Sequence, residues 1–178
     1  MATAQAMQAL GEHLARVLRA GDLVVLTGDL GAGKTTLTRG LGAALGVRGD
    51  VTSPTFVIAR VHPALARGPA LVHVDAYRLG SFAEVDDLDL DASLADAVTV
   101  VEWGEGLVEP LTASRLELRL TRPHGSGDRR GHAGAGVSDS DSDGDRDDDD
   151  DEPRIVELTA IGPRWDGVNL AAELAEVG

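Results

Sequence analysis

Val24-Val25-Leu26-Thr27-Gly28-Asp29-Leu30-Gly31-Ala32-Gly33-Lys34-Thr35-Thr36-Leu37 decides the fold of this chain. An apolar run from Leu23 to Leu26 leads into a glycine-rich turn that closes on Lys-Thr-Thr, the order of a strand, a phosphate loop and a helix start. Such a loop turns its backbone N–H groups inward and makes a nest for anionic oxygens beside a helix N-terminus. The expectation is a nucleotide held along Gly28, Asp29, Leu30, Gly31, Ala32, Gly33, Lys34, Thr35 and Thr36. Lys34 would reach the β and γ phosphates, and the Thr35 hydroxyl would supply an oxygen to Mg²⁺. Lys34 is the only lysine of the chain, whose other fifteen basic residues are all arginine. A lone ammonium among planar guanidinium groups points to a position that needs a compact charge.

The 178 residues suit one domain, and the absence of cysteine excludes disulfides, thiolate metal sites and a cysteine nucleophile. With no basic-then-apolar N-terminal segment and no run of about eighteen apolar residues, the expected setting is the cytoplasm, away from the membrane. The formal charge of −14 argues against broad contact with nucleic-acid phosphates, which needs Lys and Arg. Much of that charge is local. His124 to Pro153 carries ten Asp and one Glu against three Arg, a net −8, leaving −6 for the rest of the chain.

Met7, Leu10, Leu14, Val17 and Leu18 recur at helical spacing, so Ala4 to Ala20 reads as an amphipathic helix ending near Gly21. Leu23 to Thr27 reads as a buried strand and Lys34 to Leu45 as a helix stopped by Gly46. Val51 to Ile58 begins with turn chemistry around Pro54 and is expected to end as a β-branched, aromatic strand. His62 to Pro69 reads as a loop and Leu71 to Val74 as a short strand. Asp86 to Asp91 reads as an exposed acidic stretch. Ala97 to Val101 is a further buried strand. Leu116, Leu118 and Leu120 alternate with charged residues, as does Ile155 to Ile161, giving two half-exposed strands expected to pair as a hairpin. Between them, 125–152 is Gly, Ser, Asp and Arg with too little apolar surface to offset its ordering entropy, so disorder is expected. Its Asp139 to Gly144 run lacks the spaced glutamate of a calcium loop. Leu170 to Val177 reads as a short closing helix. The fold class is α/β: a P-loop NTPase-like, mostly parallel sheet flanked by helices, with a C-terminal hairpin carrying a disordered acidic insert.

Asp75 and Glu102 end apolar strands, where an open α/β sheet presents its ligands. Asp75 suits a carboxylate that orients Mg²⁺ or its waters, against the alternative of a helix-capping Asp. Glu102 suits a Mg²⁺ ligand or a group that positions the attacking water, against a solvated strand-end Glu. Lys34, Glu102 and Asp75 are therefore the candidate catalytic residues, and Thr35, Glu102 and Asp75 the candidate metal ligands. Thr55, after Ser53-Pro54, reads either as a switch threonine that senses the γ-phosphate or as a hydroxyl satisfying a turn. His73 lies between two valines, as a packed strand histidine does more often than a ligand. Phe56, Tyr77 and Trp103 each sit within two residues of a candidate, consistent with support for a site or with core packing.

Gly28 to Thr36 (GDLGAGKTT), Ser53 to Phe56 (SPTF), His73 to Leu79 (HVDAYRL) and Val101 to Glu105 (VEWGE) together resemble the bacterial TsaE family, formerly YjeE. In order and spacing the resemblance covers Ala9 to Glu105. It implies an ATPase needed for the threonylcarbamoyladenosine modification of tRNA at adenosine 37, working with the transferase TsaD and its paralogue TsaB. It further implies ATP on the Lys34 loop, Mg²⁺ on the Thr35 and Glu102 positions, a Walker B aspartate at Asp75 and a switch-like segment at Ser53 to Thr55. The chain departs from the family at Met7, where a threonine is common, and at His62-Pro63, where a tyrosine is usual; the insert obscures the alignment of Arg154 with a family basic residue.

A small-molecule kinase and a nucleotide-sensing module with negligible turnover are the alternatives. A guanine-reading Asn-Lys-x-Asp is ruled out because the sole lysine lies in the loop. No clear arginine finger accompanies the motifs, Arg78 being better placed for a surface or a partner carboxylate, so stimulation in trans is expected. Loop-closure cost grows only logarithmically with length. Replacing Gly125 to Asp151 with a short turn is therefore expected to leave ATP turnover unchanged and raise the melting temperature slightly; loss of folding or turnover would show the insert to be structural.

Overall fold

The computed structural model describes residues 3–122 and 154–174. The acidic insert expected at 125–152 lies outside the described residues, as do the last three positions of the closing helix read as Leu170 to Val177.

Six strands form one sheet. β1 (Leu23–Gly28), β2 (Ala59–His62), β3 (Ala70–Asp75), β4 (Ala97–Glu102), β5 (Arg115–Thr121) and β6 (Ile155–Ile161) lie in the order β2-β3-β4-β1-β5-β6. The four central strands β3, β4, β1 and β5 are parallel. β2 and β6 add one antiparallel strand at each edge, the second of them through the expected hairpin. Parallel strands are buried on both faces, and the continuous apolar runs of β1 and β4 meet that demand. β5 alternates instead: Leu116, Leu118 and Leu120 are buried while Glu117, Arg119 and Thr121 face the other way.

On one face, α1 (Ala4–Val17) and α2 (Lys34–Leu45) cover Val24, Leu26, Val98, Val100 and the three β5 leucines, with α5 (Leu170–Leu174) beside them. On the other, α3 (Phe82–Asp86) and α4 (Leu90–Leu94) cover Leu23, Val25, Val72, Val74 and Val101. α1 starts where the Thr3 hydroxyl accepts from the Ala6 N–H at 3.1 Å, and it stops at Val17, short of Ala20, because Leu18 is extended. α2 has the expected bounds, with Gly46 beyond its end at φ +65°.

Three readings need correction. The strand expected at the end of Val51 to Ile58 is absent: the N–H groups of Val57 and Ile58 both donate to the Pro54 carbonyl, at 2.9 and 2.7 Å, and fold the segment into a turn. β2 begins only at Ala59 and takes in His62, which was read as loop. Within the acidic stretch, Asp86, Asp87 and Asp89 are exposed, but Leu90 is buried as the first residue of α4.

The far end of the sheet is closed by a buried ion pair. Arg164 donates to both carboxylate oxygens of Asp22 at 2.9 Å and to the Val17 carbonyl at 2.8 Å, with its guanidinium over the Trp165 ring. Removing one partner of such a pair leaves a buried charge unmatched, at about 3–5 kcal/mol.

α1 and α2 cross without side chains between them. A Cβ on Gly40 would lie 2.0 Å from the Gln8 carbonyl oxygen, and one on Gly11 would lie 2.1 Å from that of Leu37. Helix propensity alone would favour Gly40→Ala by about 1 kcal/mol. The obstruction is backbone and cannot rotate away, and overpacking costs about 1–3 kcal/mol. The net expectation is that Gly40→Ala destabilises the protein by up to about 2 kcal/mol in chemical denaturation. Gly68→Ala, whose Cβ would meet nothing nearer than 3.7 Å, is expected to change stability by less than about 0.5 kcal/mol.

Candidate nucleotide-binding site

β1 delivers the chain to the loop, and two glycines there are required. A Cβ on Gly28 would lie 2.2 Å from the Leu120 carbonyl oxygen, and Gly33 caps α2 at φ +102°, where an L side chain is strained. No side chain caps α2, which leaves its N-terminal N–H groups and partial positive charge to an anion. The Lys34 ammonium folds back over the loop. It donates to the carbonyls of Gly28 at 2.6 Å and Asp29 at 2.8 Å, and it lies 3.8 Å from the centre of the Trp103 ring. Loss of water lowers its pKa from the ordinary lysine value, and the charges of Glu102, Asp75 and Asp29 oppose that shift.

The two strand-end carboxylates are neighbours because β3 and β4 pair Asp75 with Glu102 in register. Glu102 is almost fully buried and its Oε1 takes two hydrogen bonds: from the Thr35 hydroxyl at 2.8 Å and from His73 Nε2 at 2.8 Å. The carboxylate accepts, which assigns the ring hydrogen to Nε2. Asp75 Oδ2 accepts from the Thr55 hydroxyl at 2.7 Å and the Ser53 hydroxyl at 3.2 Å, while Oδ1 accepts from the Tyr77 N–H at 3.1 Å. Asp75 thus caps the turn Ala76–Arg78, the helix-capping alternative, while it stands beside Glu102 at the strand ends. Thr55 binds this carboxylate across the site and also, at 2.6 Å, the Ser53 hydroxyl of its own turn.

Leu30, Gly31, Gly33, Lys34, Thr35 and Thr36 from the loop face Ser53, Thr55, Asp75, Glu102 and Trp103 across one cleft of about 310 Å³. Gly28, Asp29 and Ala32 lie behind that lining; the first two reach it through the carbonyls that hold Lys34. Two non-glycine residues flank the cleft at positive φ, Ile58 at +66° and Trp103 at +62°. Strained backbone of this kind costs about 1–3 kcal/mol and clusters at functional sites. Leu30, Phe56 and Tyr77 are exposed at 90%, 87% and 65%, so core packing is excluded for the two aromatics. Tyr77 meets Trp103 edge-on at 5.2 Å, and Arg78 stands 5.2 Å over the Phe56 ring, turned to that rim.

Sequence reading missed Arg122. Its guanidinium lies 3.7 Å from where a Cβ on Gly31 would be, and Arg154 stands 3.7 Å from the equivalent point on Gly33. The signal was their position, each directly flanking the hairpin pair Thr121–Ile155.

Thr35, Glu102 and Asp75 offer only hard oxygen donors, the set that Mg²⁺ takes. Among the described residues no group of three His, Cys, Asp or Glu side chains could hold a metal by itself. That fits Mg²⁺, which is bound through one or two protein oxygens together with substrate phosphates and water, rather than in an all-protein cage.

A family model for the threonylcarbamoyl adenosine biosynthesis protein TsaE matches residues 1–130. The chain belongs to the TsaE family. It is 59% identical over 160 residues to the tRNA threonylcarbamoyladenosine biosynthesis protein TsaE of Streptomyces coelicolor, covering 89% of this chain and 93% of that one. The TsaE of Bacillus subtilis is 37% identical over 116 residues, covering 65% and 71%. The crystal structure of YdiB from Bacillus subtilis superimposes with a TM-score of 0.61 at 27% identity, covering 99% of this chain and 90% of that one. Threonylcarbamoyladenosine biosynthesis on tRNA is thus the process in which this TsaE family chain takes part.

Lys34 is only 4% exposed and is bounded by two carbonyls and a ring. A guanidinium is larger and planar. Lys34→Arg and Lys34→Ala are both expected to lose nucleotide binding by at least about tenfold, a loss of about 1.4 kcal/mol, in calorimetric titration with ADP. Wild-type affinity in the Arg variant would refute the need for a compact ammonium.

Proposed function

We propose that the protein is an ATP-hydrolysing subunit that acts with TsaD and TsaB in the threonylcarbamoyladenosine modification of tRNA at adenosine 37. The observation that carries this reading is the meeting of Thr35, Glu102 and Asp75 at the mouth of a glycine cradle whose lysine already points into it. The chain works as a single P-loop domain of residues 1–178 in the cytoplasm; none of its described helices is long and apolar enough to cross a membrane.

ATP binds with its phosphates over the loop and the α2 N-terminus. Lys34 exchanges the Gly28 and Asp29 carbonyls for β and γ phosphate oxygens. Thr35 and Glu102, with Asp75 beside them, would hold Mg²⁺, which would supply charge neutralisation at those oxygens. Glu102 also orients the water that attacks the γ phosphorus as the bond to the ADP oxygen breaks. Thr55 and Ser53, tied to Asp75, respond to the γ-phosphate and carry Phe56 with them at the exposed rim. Arg78 stands over Phe56 at the rim, suited to a partner surface rather than to the γ-phosphate, so turnover is slow alone and rises with partners. The net negative charge leaves tRNA contact to those partners.

Glu102→Gln is expected to keep nucleotide binding and lose about a hundredfold or more in turnover, as for removal of a positioned acid–base group. Phosphate release is to be measured for the chain alone, with TsaD and TsaB, and with tRNA only. The expected order is slow, faster and slow; fast unassisted turnover, or salt-resistant tRNA binding by the isolated chain, would overturn the reading.

A further inference from the structure

His73 is fully buried, and its one hydrogen bond among the described residues goes to Glu102. It projects from β3 on the same side as Leu71 and Asp75, the side that α2 covers, one pleat below the site. Its other nitrogen, Nδ1, is buried and has no hydrogen-bond partner among the described residues. A residue serving only to fill this space would be Leu or Val, like its neighbours, and would leave no polar atom unsatisfied. The imidazole is retained at that cost, and the structure shows one return for it: the 2.8 Å bond to Glu102 Oε1.

Both hydrogen bonds that Glu102 makes among the described residues land on Oε1, one from Thr35 and one from His73. Thr35 sits on the loop helix and is itself a proposed Mg²⁺ ligand, so its hydroxyl has a second claim on it. His73 sits on a central parallel strand, with β4 on one side and β2 on the other, and has no such claim. It is therefore the donor that holds the carboxylate whatever Thr35 does. As a hydrogen-bond donor without the permanent charge of Lys or Arg, it also leaves the carboxylate's charge available to a cation. Partners that orient a ligating carboxylate change metal affinity or activity about 10- to 100-fold when removed.

We propose that His73 is a positioning residue: through Nε2–H it fixes the Glu102 carboxylate beside Thr35, and so sets the affinity for divalent metal bound with nucleotide without contributing to the affinity for nucleotide itself. This rests on the reading of Glu102 and Thr35 as the metal-binding pair.

The test compares wild type, His73→Leu, His73→Gln and His73→Asn by calorimetric titration with ADP, without metal and across a Mg²⁺ series, with melting temperatures recorded for each. Gln carries a donor at the distance of Nε2; Asn carries it nearer the backbone, at the distance of Nδ1. His73→Leu is expected to bind ADP without metal within twofold of wild type, while the half-saturating Mg²⁺ concentration rises about 10- to 100-fold. His73→Gln is expected to recover most of that loss, and His73→Asn little of it. Wild-type Mg²⁺ dependence in the Leu variant, or equal Mg²⁺ dependence in folded Gln and Asn variants, overturns the positioning role and leaves the proposed function standing. Should the Leu variant fail to fold, the Gln and Asn pair decides by the same criterion. A wild-type protein whose ADP binding ignores Mg²⁺ would sink the reading of Glu102 and Thr35, and this inference with it.

Discussion

Parallel, in-register pairing of β3, β4 and β1 is the constraint on which the site depends. Because the three strands point the same way, their last residues reach one rim, and Asp75, Glu102 and the start of the phosphate loop arrive there without any long-range adjustment. From β1 the chain passes to the β2 edge, returns through β3 and β4, and then crosses past β1 to β5, so the direction of the connections reverses between β4 and β1. Open α/β sheets bind ligands where that reversal parts the loops. A shift of one residue in the β3–β4 register would turn Asp75 or Glu102 to the opposite face, where α3 and α4 pack.

In the ligand-free loop, charge is balanced at short range. The Lys34 ammonium sits between two carbonyls and an aromatic face, with three carboxylates that oppose but do not cancel the effect of its loss of water. Each of these contacts is one that an anionic phosphate would replace on better terms, since a hydrogen bond between charged partners is stronger than one to a neutral carbonyl. Glu102 and Asp75 show the same arrangement with hydroxyl groups. The site holds its charged groups on modest partners, in the places where the nucleotide and its cation would take over.

Features that arise within a few residues of one another were legible in the sequence. The loop, α2 from Lys34 to its Gly46 stop, and the alternation of β5 all follow from spacing and residue type. Ser53 to Ile58 was not. Its β-branched residues favour a strand, but two hydroxyl groups bound to Asp75, 20 and 22 residues away, and a turn closed on Pro54 hold it otherwise, with Ile58 at positive φ. His73 looked like a packed histidine, and it is packed; its bond to Glu102 depends on strand register, which no local pattern encodes. Phe56 and Tyr77 looked equally suited to core or rim, because hydrophobicity alone does not say which face of the molecule a loop presents.

The seat between α1 and α2 bears on how the molecule transmits force. Where two helices meet through side chains, rotamers act as a cushion and small displacements are absorbed; at Gly11 and Gly40 backbone rests on backbone and there is nothing to compress. α2 begins at the phosphate loop, so the loop is joined to α1 through a contact that holds no rotatable side chain at these two points. α1 in turn rests against α5, where His13 meets the Glu173 carbonyl at 3.3 Å. The two crossed helices therefore link the phosphate loop at one end to α5 at the other by direct packing.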